Sequence, residues 1–314
     1  MLSKRQEAEL VTAIQGRGEV PLKFAYLGEG AKHWDKIATQ RAKEGGINSA
    51  EAILLQKRVE DFVQTLATSQ GINIVDIGCG NGYPVFPILS YLTKRNIKFT
   101  YVPIDISQEL LDLAVTTVTK EFSGTECNPF QIDFELGQFS DVMYDLKKNG
   151  SVNLMLFFGS TLGNHSDLHR VLTNFRDSMT SKDYMIVGVE LTNLVKAQNI
   201  IHHYEGENIE NFVFATLDYL KVFRQDYKME VSWNAIENQV EIRVTLQKDI
   251  SLEIAGEKFT LKQGENLLLA RSKKFSESVV TKLLSDIGFR TELLTTAEDR
   301  GYLLTMVQPT RYSA

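Results

Sequence analysis

The order of hydrophobic and polar positions predicts regular α/β structure through the middle of the chain. Between residues 53 and 191, short apolar runs typical of buried strands alternate with segments whose apolar residues recur at helical spacing. This alternation predicts a parallel sheet covered by helices on both faces, a doubly wound α/β fold. The predicted strands are 72–77, 99–106, 130–132, 152–158 and 184–191, and the predicted helices are 53–66, 86–92 and 108–118.

A later stretch has a different pattern, typical of antiparallel hairpins with tight connections. Its predicted strands are 229–236, 239–246, 250–254 and 258–262. A helix over 278–287 and strands at 290–294 and 302–307 then resume the first pattern. We therefore expect two domains. The doubly wound domain covers 61–192 plus 276–314, and a discontinuous α+β substrate-binding domain covers 1–60 plus 193–275.

Composition excludes several classes of function. The net charge is -6, which argues against a nucleic-acid partner because binding phosphates requires clustered Lys and Arg. No apolar run approaches the roughly 20 residues needed to span a membrane, and the first residues lack the apolar core of a signal peptide. The two cysteines, Cys79 and Cys127, form neither a disulfide framework nor a metal pattern. We expect a cytoplasmic protein that has no membrane partner and no metal.

Two histidines have the spacing of metal ligands on one helix face. His165 and His169 are four residues apart, but no Glu follows the first and no third ligand is evident. A solvated helix start is the expected structure.

A glycine-rich loop follows the first predicted strand. Gly78, Gly80 and Gly82 alternate with other residues, and this spacing differs from the G-x-G-x-x-G of dinucleotide folds. An NAD or nucleotide-sugar enzyme is therefore the weaker alternative. Glycines let the backbone turn tightly and approach a ligand closely. Asp76 can orient this loop or receive the cationic methionine portion of S-adenosylmethionine (AdoMet), although a plain strand-to-helix turn also fits the glycines.

Acidic residues follow the next two strands in the order that a nucleoside requires. Asp105 ends the second strand, where a carboxylate can accept both ribose hydroxyls. Asp133 follows the third strand and can bind the adenine amino group, while Phe134 can pack on the ring. Each acid alone is typical of a solvated cap. Together with Asp76 they favour AdoMet as the cofactor.

The loop after the most apolar strand is the candidate acceptor site. It contains Gly-Ser-Thr-Leu-Gly-Asn over residues 159–164 and lies at the carboxyl edge of the predicted sheet, where ligands of open α/β folds bind. One hypothesis places Asn164 beside the methyl acceptor. The alternative is a plain helix start capped by Asn164 or Ser166, and spacing alone leaves both open.

With these residues in view, the chain resembles the histidine Nα-methyltransferase family of the ergothioneine pathway, which also includes relatives acting on tryptophan derivatives. The resemblance spans nearly the whole chain and implies a class I (Rossmann-like) AdoMet-dependent methyltransferase. The segments that carry it are Lys23–Tyr26 with Gly28 and Gly30, the glycine loop, Tyr101–Ser107, Asp133–Phe134, Leu156–Asn164, Ser232–Asn234, and Gly264–Glu265 leading to Ser272–Phe275.

The resemblance also implies roles for particular residues. It assigns the substrate to Asn164, Tyr204 and Ser272, of which Asn164 and Tyr204 are the candidate catalytic residues. It assigns AdoMet to Tyr26, Gly78, Asp105, Asp133 and Phe134, to which the loop adds Asp76, Gly80 and Gly82.

Two departures from the family pattern concern the acceptor half. The acidic residue that grips the substrate side chain falls on Ala270, and the Pro-Glu-Tyr-Tyr segment is replaced around residues 41–46. We expect N-methylation of an amino acid or related amine other than histidine. The alternatives are methylation of oxygen or another small nucleophile, and an AdoMet-binding protein without turnover. Glu190 or Glu265 can supply the missing acid, and Arg271 can add a positive charge.

Overall fold

A computed structural model describes residues 2–43, 47–66, 70–192, 200–299 and 301–311. The chain forms two compact units, each built from two segments. The first unit comprises Met1–Ile37 and Leu194–Lys273, and the second unit comprises Ala38–Asn193 and Lys274–Ala314. Within the described ranges, no helix is both long and apolar enough to cross a membrane.

The elements are numbered here along the chain. The helices are α1 (Lys4–Arg17), α2 (Glu29–Lys43), α3 (Ile47–Thr65), α4 (Phe86–Lys94), α5 (Gln108–Glu121), α6 (Ser140–Asp145), α7 (Leu168–Ser178), α8 (Glu207–Tyr219) and α9 (Glu277–Asp286). The strands are β1 (Ile72–Ile77), β2 (Phe99–Asp105), β3 (Glu126–Cys127), β4 (Phe130–Gln131), β5 (Val152–Phe157), β6 (Tyr184–Glu190), β7 (Tyr227–Asn234), β8 (Gln239–Leu246), β9 (Ile250–Ile254), β10 (Glu257–Leu261), β11 (Asn266–Lys273), β12 (Phe289–Thr296) and β13 (Tyr302–Pro309).

A mostly parallel sheet forms the centre of the second unit. Its strand order is β12-β13-β6-β5-β1-β2-β3, and β4 also pairs with β2. The strands from β6 to β4 run parallel, whereas β13 is antiparallel to β6 and β12 is antiparallel to β13. The predicted class I doubly wound fold is therefore confirmed.

Alternation along β1 explains why both faces of this sheet are covered. Ile72 and Ile74 belong to one hydrophobic cluster, with side chains of α3, α4 and α5. Val75 and Ile77 belong to another, with side chains of α7 and α9. Successive strand residues point to opposite faces, so an uninterrupted apolar strand serves two cores at once.

Hydroxyl and carboxyl side chains begin the helices that follow the strands. Ser107 caps α5 by accepting the Leu110 N–H, and Ser276 caps α9 in the same way. The cap of α7 is Asp167, which accepts the Arg170 N–H at 2.9 Å. The prediction that Asn164 or Ser166 caps this helix is therefore wrong. A separate 3-10 turn, Thr161–Asn164, precedes the helix.

The sheet reverses its direction of growth at β1. The chain adds β2 and β3 on one side of β1 and then returns to add β5 and β6 on the other. β1 and β5 are parallel neighbours, but the helices that follow them, α4 and α7, pack on opposite faces of the sheet. The crevice at such a switch point is where ligands of open α/β sheets bind.

Two small antiparallel sheets belong to the first unit. One has the order β11-β8-β7, and the other is the β9-β10 hairpin. The hairpin turns at Ala255 and Gly256, both with positive φ, as a two-residue connection between twisted strands requires. The strand β11 was not predicted from the sequence, because a register shift between Leu268 and Ala270 interrupts its alternation.

The predicted boundary between the domains is corrected by α3. The sequence analysis placed residues 1–60 in the substrate-binding domain, whereas Ala38 onward belongs to the second unit. Leu54 and Leu55 of α3 are buried in the same cluster as Ile74 of β1. A sequence pattern shows which residues of a helix are apolar, but it does not show which core they enter. Residues 44–46 and 193–199 lie outside the part that the structure describes.

Gly82 provides a test of this packing, because a side chain there has no room. A Cβ at Gly82 lies 3.2 Å from both Cα and O of Ala114 on α5, and φ is 76°. We expect Gly82→Ala to lower the free energy of unfolding by about 1–3 kcal/mol, measured by urea denaturation. Gly137→Ala is the control, because nothing lies within 4 Å of its Cβ. Equal stability of the two variants would contradict this packing role.

Candidate functional site

The glycine loop after β1 is tied to the end of β2. Gly78 N–H donates to the carbonyl of Ile104 at 2.7 Å, and Cys79 N–H donates to the same oxygen at 3.3 Å. Gly78, Gly80 and Gly82 have φ values of 65°, 54° and 76°, a region that favours glycine. The loop therefore requires its glycines for backbone conformation.

The first and last glycines differ in what surrounds them. A Cβ on Gly78 makes only ordinary contacts, at 3.9 Å from side-chain atoms of Phe134 and Thr161. Gly82 instead lies directly against the backbone of α5. Gly78 thus faces side chains at the carboxyl edge of the sheet. At position 82 a glycine is needed because α5 leaves no room for a side chain.

Asp105 is the last residue of β2 and lies at this edge of the sheet. Its Oδ1 accepts the Ser107 N–H at 3.0 Å, and its Oδ2 accepts the Gly80 N–H at 3.3 Å. Burial raises the pKa of Asp105 to about 6, against the opposing effect of these backbone donors. One carboxylate therefore links the glycine loop to the start of α5.

Asp76 is a second buried carboxyl group beside the loop. It is 3% exposed, and its Oδ2 accepts the hydroxyl proton of Tyr101 at 2.8 Å. Burial raises the pKa of Asp76 to about 7; the Tyr101 hydrogen bond opposes this rise and the charge of Asp105 adds to it.

The segment after β4 places Asp133 and Phe134 where the sequence expects them. Asp133 is half-buried, and its Oδ1 accepts the Glu135 N–H at 3.2 Å. The Phe134 ring is 9% exposed and packs edge-on against Phe157, with ring centroids 5.8 Å apart. Most of this ring is therefore enclosed by protein.

His165 departs from the expected solvated helix start. It is 9% exposed, its Nδ1 lies 3.0 Å from Glu135 Oε1, and its ring packs edge-on against Phe134. Its Nε2 is buried without a hydrogen-bond partner among the described residues. His169 is exposed, so the two histidines do not converge on one ion. The described ranges contain no group of three or more side chains suited to a metal.

Residues that were not predicted from the sequence form hydrogen bonds with the segment leading into the turn that carries Asn164. Gly159 N–H donates to Glu51 Oε2 at 2.9 Å, and the Tyr302 hydroxyl donates to the same oxygen. Glu51 is 1% exposed, and burial raises its pKa to about 7. The available signal was its place on the apolar stripe of α3, three and four residues before Leu54 and Leu55.

In the first unit, two of the predicted substrate residues contact each other. The Tyr204 hydroxyl donates to Ser272 Oγ at 2.8 Å. Ala270 belongs to the same hydrophobic cluster as Tyr204. Tyr26 lies in the 3-10 helix Leu22–Tyr26 and packs edge-on against Phe212 at 4.8 Å.

Arg271, considered as an added positive charge, and Glu190 and Glu265, considered as substitutes for the missing acid, already have partners. Arg271 donates to Glu19 Oε2 at 2.6 Å. Glu190 forms an ion pair with Lys274, whose side chain is fully buried. Glu265 is exposed and accepts the Lys262 N–H at 2.9 Å in a turn.

Residues 6–309 match the family described as histidine-specific, SAM-dependent methyltransferases. The chain belongs to this family. It is therefore an AdoMet-dependent methyltransferase, and AdoMet is its cofactor.

Curated relatives of this methyltransferase carry out N-methylation. An N-methyltransferase of Aspergillus flavus is 25% identical, over 80% of this chain and 71% of its own length. The histidine N-alpha-methyltransferase of Mycobacterium tuberculosis is 24% identical, over 86% of this chain and 84% of its own. The 4-dimethylallyltryptophan N-methyltransferase of Claviceps fusiformis is 21% identical, over 89% of this chain and 84% of its own length.

Among solved structures, the magnesium protoporphyrin IX methyltransferase of Synechocystis is 11% identical. The match covers 92% of this chain and 98% of that protein, with a TM-score of 0.48.

The predicted site residues of the methyltransferase divide between its two units. The second unit contains the glycine loop with Asp76, the Asp105 carboxylate, Asp133 with Phe134, and Asn164. The first unit contains Tyr26, Tyr204, Ala270 and Ser272. The cofactor residues suggested by successive strands are thus gathered at one edge of one sheet. Tyr26, which only the resemblance suggested, lies in the first unit.

The raised pKa of Asp76 predicts a pH-dependent stability. Because the folded-state pKa of about 7 exceeds the unfolded value of 3.8, folding favours the protonated form. The free energy of unfolding should therefore fall as the pH rises from about 4 through 7. Asp76→Asn should remove on the order of 2 kcal/mol of this fall, measured by urea denaturation at pH 5 and pH 8 without AdoMet.

The exposed Asp112 on α5 provides the control. Asp112→Asn should reproduce the pH dependence of the wild-type protein. If Asp76→Asn also reproduces it, the attributed role of the Asp76 carboxyl is wrong.

Proposed function

We propose that this methyltransferase transfers a methyl group to the amine nitrogen of an amino acid or related amine with an apolar or aromatic side chain. Free histidine is not its main substrate. The observation that carries this proposal is the composition of the sheet face on which Ser272 and Ala270 lie.

Strand register identifies the side chains on that face. Ala270 pairs with Ile242, which pairs with Val231, and Ser272 pairs with Val240, which pairs with Trp233. Directly opposed residues in antiparallel strands share a face. These two rows therefore present aliphatic and aromatic groups with one hydroxyl, and neither row contains a charge.

The acidic and basic residues of the same strands occupy the other face. Arg271 alternates with its neighbours Ala270 and Ser272, and it pairs across the sheet with Glu241. Its ion pair with Glu19 supports the same assignment. Arg271 therefore adds no positive charge beside Ala270.

This composition does not suit an imidazole. A buried imidazole requires partners for both ring nitrogens, and each unpaired group costs about 1–3 kcal/mol. The family pattern supplies an acid at the position of Ala270, and a methyl group cannot replace it. Lys274 neutralises Glu190, and Glu265 is exposed in a turn, so neither supports a substitute role.

The relatives support nitrogen as the methylated atom. Their names describe N-methyltransferases, one acting on histidine and one on 4-dimethylallyltryptophan. Side chains of very different polarity are thus accepted within the group, while the acceptor atom stays the same. An apolar pocket in this chain is consistent with that range.

AdoMet supplies a methyl group already activated by the positive sulfur to which it is bound. We propose that Asp105 accepts the ribose hydroxyls and that the backbone of Gly78 and Gly80 lies against the methionine portion. Asp76 provides negative charge near the sulfonium, and Asp133 and Phe134 receive the adenine. Tyr26 is proposed as a further cofactor residue.

On the acceptor side, the nitrogen must lose its proton before it can attack. We propose that the Asn164 side chain orients the amine, and that Tyr204, whose proton points to Ser272, accepts an amine N–H. Orientation of this kind contributes about 7–11 kcal/mol in favourable cases. The N–C bond forms as the S–C bond breaks, and the amine proton is released to water.

Reciprocal variants separate the proposed roles of Asp105 and Asn164. Asp105→Ala should raise the Kd for AdoMet about 10- to 100-fold, because a hydrogen bond to a charged group contributes roughly 1.5–3 kcal/mol. Asn164→Ala should leave AdoMet affinity nearly intact while kcat falls. Calorimetry measures the first effect, and single-turnover kinetics measures the second.

Unchanged AdoMet affinity in a folded Asp105→Ala protein would remove Asp105 from the cofactor site. Loss of AdoMet binding in Asn164→Ala, with acceptor binding preserved, would reverse the assignment of that residue.

A panel of amines tests the substrate class. The panel comprises histidine, tryptophan, tyrosine and their decarboxylated amines, each incubated with AdoMet and followed by the mass gain of one methyl group. We expect the indole or phenol compounds to have the highest kcat/KM, because removing a polar partner from a polar-substrate site sharply reduces discrimination for that substrate.

Fragmentation of the products identifies the methylated atom. A methyl group on the phenol oxygen of tyrosine or tyramine would support the O-methylation alternative. Conversion of histidine at a higher kcat/KM than every other compound in the panel would contradict the proposal.

A further inference from the structure

Glu51 is a buried acid that the proposed chemistry does not use. Glu51 lies on the apolar stripe of α3, and its carboxyl group reaches the segment that carries Asn164. The Gly159 N–H donates to Oε2 at 2.9 Å, and the Tyr302 hydroxyl from β13 donates to the same atom. A carboxyl group this deeply buried is costly unless hydrogen bonds compensate it.

The backbone that Glu51 holds has an unfavourable conformation. Gly159 and Ser160 have φ values of 69° and 57°, and Ser160 is not a glycine. A non-glycine residue in this region is strained and persists only where its surroundings fix it. The hydrogen bond from Gly159 to Glu51 provides such a fixed point.

Internal hydrogen bonds carry this constraint along the turn. Thr161 Oγ1 donates to the Phe158 carbonyl at 2.8 Å, and Gly163 N–H donates to the Ser160 carbonyl at 3.0 Å. The turn Thr161–Asn164 is therefore a compact unit. Fixing the Phe158–Gly159 peptide group that leads into this turn therefore also constrains Asn164 at its end.

The sheet leaves space for this arrangement at one residue. A Cβ on Gly188 of β6 lies 2.5 Å from Glu51 Oε2 and 2.6 Å from Tyr302 Oη. Any side chain at that position therefore displaces the carboxyl–hydroxyl pair. Three elements that are distant in sequence, α3, β6 and β13, thus converge beneath one turn.

We propose that Glu51, together with Tyr302 and the space left by Gly188, is a positioning residue for methyl transfer. It fixes the turn from Gly159 to Asn164 and so orients Asn164 toward the acceptor amine. This inference rests on the role proposed above for Asn164.

Activity measurements test the effect of Glu51 on the chemical step. With AdoMet and the panel amine that the wild-type enzyme methylates fastest, Glu51→Ala should lower kcat about tenfold or more while AdoMet affinity changes less than about threefold. Glu51→Gln should retain kcat within about threefold, because the amide oxygen still accepts the Gly159 N–H. Gly188→Ala should reproduce Glu51→Ala although both partner side chains remain.

Asn73 provides a matched control for general destabilisation. Its side chain is buried at the amino end of β1, the opposite edge of the same sheet, and donates to Leu146 O and Asn153 Oδ1. Asn73→Ala should lower thermal stability while leaving kcat and AdoMet affinity unchanged.

Hydrogen exchange gives a readout that needs no acceptor. Amides of residues 159–164 should exchange about tenfold faster in Glu51→Ala and Gly188→Ala than in the wild-type protein, and at wild-type rates in Glu51→Gln and Asn73→Ala. Unchanged protection in folded Glu51→Ala or Gly188→Ala would overturn the proposal, as would full kcat in either variant. If Glu51→Ala does not fold, Gly188→Ala decides. Absence of methyl transfer by the wild-type protein to every panel amine would contradict the proposed substrate class alone, and hydrogen exchange would still decide the role of Glu51.

Discussion

The carboxylate of Asp105 is the interaction on which the carboxyl edge of the large sheet depends. Its two oxygens accept backbone amides from Gly80 and Ser107, which belong to turns after different strands. Desolvation alone disfavours a buried charge, and these two donors offset part of that cost. The glycine loop and the start of α5 are consequently held in one fixed relation to each other.

A second buried carboxyl group performs a similar structural task on the other side of β1. Glu51 joins the turn after β5 to Tyr302 on β13, as Asp105 joins the turn after β1 to the start of α5. In both cases an acid that lies within the fold fixes backbone with positive φ at the sheet edge. Glycine adopts this conformation without a steric penalty, and the buried carboxyl groups hold it in place through hydrogen bonds.

The proposed acceptor face is defined by strand alternation and not by a buried acid. The face of the β11-β8-β7 sheet around Ala270 is uncharged, because the charged residues of these strands alternate onto the other face. Under the proposal above, a member of a histidine-specific family thus has an acceptor face that offers an imidazole few partners. Family membership establishes the reaction and the cofactor, and the proposal above attributes the choice of acceptor to individual side chains.

The sequence by itself determined the doubly wound sheet, its AdoMet-dependent chemistry and the positions of Asp105, Asp133 and Phe134 after their strands. These features are local, because strand periodicity and the residue that ends each strand are read along a few consecutive positions. Only the tertiary structure decided the membership of α3 in the second unit, the strand β11 with its register shift, and the burial of His165. It alone brought Glu51, Gly188 and Tyr302 together, since these contacts join residues up to 251 positions apart. Hydrophobic periodicity marks a buried face but does not specify which distant side chains meet there.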